Sequence, residues 1–309
     1  MTHSDISGTP DAQLVRALAT PFSWPSSGLE PLPWFPFTVA ASRGRVSAAE
    51  RVAQRTERAY WYLRKLFKFT PRFRLLVLDR DDWTQYADLA TYGISHFTAT
   101  GNLVVGAEPA DAWHEIAREF AQRLPAASVR TLLAVHGADR VHANAPDLTR
   151  VAESLVAHDL ARVVLEEAGA GFPAAWMKHA FANYALVAVL GETDPSGLHR
   201  LGTLAEAARA LAASTPDVSS LGAAQCDLSP FEAALVQLAL TRAAYAAYAD
   251  RKDAPLARWF AHARKKNVVP IAPDADHEIG RMLAREVHPE LGALLAGGRE
   301  WREQVARAA

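Results

Sequence analysis

DLTRVAESLVAHDLARVVLEEAGAGFPAAWMKHAFANYALVAVL, residues 147–190, is the stretch that decides the fold. In its first half Leu148, Val151, Leu155, His158, Arg162 and Leu165 recur in alternating steps of three and four, the repeat of one helix face. The spacing predicts a helix over 147–168, with His158 and Arg162 on its apolar seam. A second helix is expected over 174–190, where Phe172, Trp176, His179 and Asn183 share a similar seam. Polar groups turned into a core need partners, because an unpaired buried charge costs on the order of several kcal/mol. Two consecutive helices that both do this define a candidate site.

A plainer account covers the same residues. Asp159 and Arg162 are an i,i+3 pair and Arg162 and Glu166 an i,i+4 pair, so a helix satisfying one half-buried arginine explains all three. His158 and His179 could equally be core histidines bonded to carbonyls.

Upstream, FPFTVAA (Phe35 to Ala41), FRLLVL (Phe73 to Leu78) and LVVGA (Leu103 to Ala107) read as short strands. Ser47 to Phe69 reads as an amphipathic helix carrying Val52, Ala59, Leu63 and Leu66, with Ser47 and Glu50 spaced as a capping box. A short helix is expected near Asp82 to Ala87. Beyond Ala110 helices are expected at 110–123, 125–137, 197–213, 229–250, 253–266, 274–287 and 297–308, besides the central two. Pro- and Gly-bearing breaks such as Gly169 to Pro173 separate them. The order implies an α+β fold: a Pro-rich extension at 1–35 with a short helical stretch (Ala12 to Thr20), an α/β lobe with a small mixed sheet at 36–125, and a helical lobe at 126–309.

Composition narrows the function classes. Half of the 309 residues are hydrophobic and 22% are charged, an ordinary globular balance. A net charge of -1 gives no electrostatic ground for nucleic acid or a membrane surface as partner. The single cysteine, Cys226, excludes an internal disulfide and a thiolate-rich metal site, and reads as a small buried apolar residue. MTHSDISGTPDAQLVRALATPF lacks the basic start and apolar run of a secretory signal, and no window approaches the ~20 apolar residues of a membrane span. A cytoplasmic protein is expected.

The motifs of the two central helices resemble those of the gluzincin metallopeptidases, in particular the bacterial peptidase-MA-like group, whose helices carry H-E-x-x-H and W-L-x-E-G-x-A-x-Y. Here the first motif reads His158-Asp159-Leu160-Ala161-Arg162, and the second runs from Trp176 through Met177, Lys178, His179 and Asn183 to Tyr184, after Pro173. The strands, the long helix and YGISHFTATGNLVVGAE fall in the family's order, so the resemblance covers roughly residues 35–265. It implies a zincin-like α+β fold with a helical C-terminal lobe. Tyr92, Gly93 and His96 precede LVVGA as residues precede the family's substrate-edge strand.

Carried over by position, the resemblance leaves His158 at the first zinc-ligand place and puts Asp159 where the general-base glutamate stands. Arg162 replaces the second histidine ligand, and His179 replaces the glutamate ligand. Guanidinium has no lone pair to give a metal, and catalytic zinc ordinarily takes three protein ligands plus water. Asp159 is also one methylene shorter than glutamate, and a displacement of about 1 Å can cost roughly 10²-fold in rate. The expectation is a catalytically impaired metallopeptidase-like protein, a pseudopeptidase serving as a binding or structural module, with no cofactor. A peptide or acidic ligand would occupy a cleft that includes Arg162, Trp176, Lys178, Asn183 and Tyr184, and LVVGA as an edge strand would add main-chain pairing. The alternative is a divergent zinc-dependent peptidase or hydrolase using His158 and His179 as ligands and Asp159 as base.

Other features are weaker. His136 and His142 are six residues apart in an expected loop. Arg264-Lys265-Lys266 reads as a solvated helix C-terminus. No P-loop, G-x-G-x-x-G or G-x-S-x-G occurs in the required strand–turn–helix context.

Overall fold

Alternation of buried apolar runs with turns produces a five-stranded sheet at the N-terminal side of the chain. In the computed structural model, which describes residues 28–265 (except 173, 217, 219–220 and 222–227), 281–285, 287–289 and 292, the strands are β1 (Glu30–Leu32), β2 (Thr38–Ala41), β3 (Arg74–Leu78), β4 (His96–Phe97) and β5 (Asn102–Gly106). Their order is β1-β2-β3-β5-β4; β2, β3 and β5 run parallel, and β1 and β4 pair antiparallel at the two edges. The central strand is the most apolar one: Leu75, Leu76, Val77 and Leu78 are all buried, as a strand covered on both faces requires.

Two strands were not expected. β1 falls inside the Pro-rich segment, and its Pro31 is tolerated because an edge strand leaves one row of N–H groups unused. β4 is only two residues long, pairing His96 with Val104 and Phe97 with Leu103. It corrects the expectation for LVVGA: β5 lies between β3 and β4 and is not the edge.

The long helix α1 (Val46–Phe67) buries Ala49, Ala53, Thr56, Tyr60, Leu63 and Phe67 on one seam, and Thr56 returns its hydroxyl to the Val52 carbonyl at 2.9 Å. It begins one residue ahead of Ser47, so Ser47 is not its cap. Helix α2 (Arg80–Tyr86) is capped instead by Asp79, whose carboxylate accepts from the N–H groups of Asp81 and Asp82. The helical part continues with α3 (Asp111–Arg123), α4 (Ala126–His136), α5 (Thr149–Ser154), α6 (Val156–Glu167) and α7 (Trp176–Thr193). It ends with α8 (Pro195–Ala208), a 3-10 turn (Arg209–Ser214), α9 (Pro230–Arg251) and α10 (Ala254–Lys265). The expected N-terminal helical stretch, the last helix, Cys226 and part of 274–287 lie outside the described residues.

Two compact units result. Among the described residues, those up to Glu57 with Arg72–Ala110 form one, and Arg58–Pro71 with the residues from Asp111 onward form the other. The chain is thus mostly helical with a small mixed sheet, an α+β fold. Among the described residues no helix is long and apolar enough to cross a membrane.

The single helix expected over 147–168 is broken at Leu155. Ser154 donates its hydroxyl to the Arg150 carbonyl at 2.8 Å, and the Leu155 N–H closes a tighter bond to Ala152 at 3.1 Å. Such back-bonding bends helices. The chain restarts at once, with the Asp159 N–H on the Leu155 carbonyl at 3.0 Å.

Helix α7 is apolar nearly all round and buried along its length, which makes it the central element of the second unit. α6 and α9 flank it. The approach of α9 is close at Gly191, where an added Cβ would lie 2.5 Å from the Tyr248 ring and would have to push it aside.

Candidate functional site

Helices α6 and α7 bring His158 and His179 together. Their rings stack at 6.0 Å between centroids with planes 29° apart, and both residues are buried, 7% and 6% exposed. His158 sits in the first turn of α6 beside Asp159, and its Nδ1 lies 2.9 Å from the Asp159 carboxylate. A carboxylate only accepts, so Nδ1 carries a proton, and in the neutral ring Nε2 presents its lone pair. That Nε2 is buried and has no hydrogen-bond partner.

His179 has the opposite tautomer, and a chain of side chains sets it. The Asn183 amide nitrogen donates to the His179 carbonyl at 2.8 Å, which fixes the amide's orientation because a main-chain carbonyl can only accept. The same nitrogen donates to Gln237 Oε1 at 2.6 Å. The Gln237 Nε2 group therefore faces His179 Nδ1, at 3.0 Å, and donates to it. On the far side, the Thr241 hydroxyl reaches Asn183 Oδ1 at 2.7 Å. With Nδ1 as acceptor, the imidazole is neutral and protonated on Nε2. Burial, with the charge of Arg162 second, pushes its pKa down to about 2, consistent with a ring that stays neutral.

Arg162, one turn beyond His158, is half-buried, and its Nε is buried without a hydrogen-bond partner. The two carboxylates within a turn of it are engaged elsewhere: Asp159 with His158, and Glu166 with Lys178 Nζ at 2.8 Å. Trp176, at the start of α7 and three residues ahead of His179, is 3% exposed and also leaves its Nε1 without a partner.

The remaining expected cleft residues divide. Asn183 belongs to the His179 network, whereas Lys178 is taken up by Glu166. Tyr184 turns another way: its hydroxyl donates to the Lys252 carbonyl at 2.8 Å, near the Asp253 carboxylate that accepts from Tyr62. Burial first, then Asp253, pushes the Tyr184 phenol above its ordinary range. Gln237 and Thr241 on α9 were missed. Their signal is a polar i,i+4 pair inside the apolar run EAALVQLALTRAA.

The donor set can be tested against the zinc ion that the gluzincin motif implies. A metal-ligating histidine gives its other N–H to a carboxylate or carbonyl. His158 meets this condition through Asp159, while His179 has the reverse arrangement and Arg162 offers no lone pair. Among the described residues no three His, Cys, Asp or Glu side chains are grouped to hold a metal ion. These residues do not fit a three-ligand zinc site.

Three other places carry polar groups. His96 is satisfied on both nitrogens, by the Ile94 carbonyl at 2.9 Å and the Asp88 N–H at 3.1 Å, so it is a core histidine; Gly93 is a turn residue at φ 78°. His114 Nδ1 bonds the buried Asp139 carboxylate at 2.6 Å, and the same carboxylate accepts from the N–H groups of Val141 and His142. Burial raises the Asp139 pKa, yet these bonds hold it below the usual carboxylate value. A groove of about 670 Å³ includes Ser128, His199, Glu206, Arg209, Arg242 and Tyr245, where Arg209 is paired with Glu206 at 2.7 Å. No family model matches the chain, and no curated protein and no solved structure matches it.

Proposed function

We propose that the chain is a catalytically impaired metallopeptidase-like protein, a zincin-like scaffold kept as a binding module. One observation carries this reading: at the three positions where the gluzincin pattern needs metal ligands, only His158 has the lone pair and the orienting carboxylate that a ligand requires. Arg162 brings a fixed positive charge where a dication would be held, and His179 offers an N–H. Asp159 orients His158 and is thereby drawn away from the base role it would have in hydrolysis. The partner expected is a peptide or another acidic ligand.

Elemental analysis of protein purified without a metal-affinity tag tests the reading. Well under one equivalent of zinc is expected after dialysis. Stoichiometric zinc retained through dialysis would overturn it in favour of a divergent hydrolase ligated by His158 and His179.

A further inference from the structure

We infer that the face shared by α6 and α7 binds a carboxylate whose neighbouring atom carries a hydrogen-bond donor, as in a 2-hydroxy acid or the C-terminal residue of a peptide. The inference rests on the binding-module reading and names its ligand. Three buried nitrogens here lack partners: His158 Nε2, Arg162 Nε and Trp176 Nε1. Leaving such groups unmet is costly, and native proteins leave few. They occur together on two helices whose histidine rings stack, and Arg162 is close enough to His179 to depress its basicity.

Their polarities select the ligand. Arg162 Nε and Trp176 Nε1 can only donate, and the guanidinium favours an anion. In the neutral ring, with its proton on Nδ1 toward Asp159, His158 presents Nε2 as an acceptor. A ligand that satisfies all three therefore combines an anionic acceptor with a donor close by. Sulfate and the dianion of a phosphate monoester have no proton for Nε2. A lone amine or amide lacks the charge for Arg162. A carboxylate flanked by a hydroxyl or a peptide N–H meets both demands.

Glycolate and N-acetylglycine are the probes, titrated into the full-length protein and followed by NMR of the His158 and Trp176 side chains. Glycolamide, without the charge, and propionate, without the donor, are controls. Saturable binding of glycolate or N-acetylglycine is expected, with propionate weaker and glycolamide silent; the better of the two acids tells a free hydroxy acid from a peptide C-terminus. Arg162→Met should weaken binding about tenfold or more, the loss of a charge-assisted bond. Trp176→Phe, which keeps the ring and removes the N–H, should weaken it less. No binding of either acid by the folded protein overturns the inference, leaving ordered water as the partner of these nitrogens. So does equal affinity for propionate, or an Arg162→Met variant that binds unchanged. Zinc content separates the two levels: zinc-free protein that ignores both acids defeats only this inference, whereas stoichiometric zinc defeats the binding-module reading beneath it.

Discussion

Replacing Gln237 with leucine removes a residue that bonds both Asn183 and His179. In the folded protein the change strands His179 Nδ1 and one Asn183 N–H, both in a region where Asn183 is 2% exposed and His179 6%. An orphaned buried polar group costs about 1–3 kcal/mol, and the added leucine methyls return part of that by burial. A net loss of about 2–4 kcal/mol follows, which for a unit of this size lowers Tm by about 2–4 °C per kcal/mol. Gln237→Glu discriminates more sharply. It preserves shape but makes both terminal oxygens acceptors, so His179 must move its proton to Nδ1. Nitrogen-15 NMR of the imidazole reports the tautomer directly: Nε2–H in the parent, Nδ1–H in Gln237→Glu. Thermal and urea unfolding supply the energies, and Thr241→Val in the Gln237→Leu background should be non-additive by at least about 0.5 kcal/mol, because both residues act through Asn183. A Gln237→Leu loss under about 0.5 kcal/mol, or an Nδ1–H His179 in the parent, would refute the reasoning.

Arg162→Met should raise stability by about 1–2 kcal/mol in urea melts, since it deletes a buried unmet donor and keeps the apolar stem. The combined Asp159→Glu, Arg162→His and His179→Glu variant should gain steep zinc affinity by titration calorimetry, because the Gln237 Nε2 group that now serves His179 can orient the new carboxylate; an unchanged affinity in a folded variant contradicts the helix arrangement. Acid should destabilise the fold early: His179 is held down to about 2 and His136 to about 4, chiefly by burial, while the unfolded imidazoles titrate near 6.5. Both folded pKa values are lowered, so only the unfolded chain gains protons as pH falls; stability is full above about pH 6.5 and drops below it by up to about 1.4 kcal/mol per unit for His179 and by less for the partly solvated His136, whose share ends near pH 4. Urea midpoints that stay flat between about pH 7.5 and pH 5 would contradict this. Lys252→Gly should add about 1 kcal/mol to the unfolding free energy, since Lys252 closes α9 at φ 55° and ψ -135°, a region that costs a non-glycine residue about 1–3 kcal/mol.

Much of the helical part was legible because helix periodicity is a local property. α7 is buried along most of its length, and its apolar run, interrupted by Lys178, His179 and Asn183, already marks the last two as groups in need of partners. What periodicity could not supply is the identity of those partners. Gln237 and Asn183 are 54 residues apart, and Thr241 and Asn183 are 58 apart. Only packing brings α9 against α7, and a single sequence does not encode which polar pair meets which. The break at Leu155 was hidden for a related reason: Ser154 is compatible with a continuous seam, and its back-bond to Arg150 becomes decisive only in three dimensions. The two edge strands escaped because one holds a proline and the other is two residues long.

These distant partners change what the degenerate motif means. By sequence, Arg162 is the decisive departure from H-E-x-x-H, and its reversal looks like the natural first repair. The Asn183–Gln237 chain shows a second departure on another helix, since it imposes on His179 the tautomer opposite to that of an oriented metal ligand. Arg162→His alone would then restore one lone pair and leave His179 presenting an N–H. The expected result is little gain in zinc affinity from Arg162→His, a larger one when Gln237→Glu is added, and the largest for the triple replacement. A single Arg162→His change that restores tight zinc binding would mean that Gln237 yields to the metal, and that His179 was never committed to its tautomer.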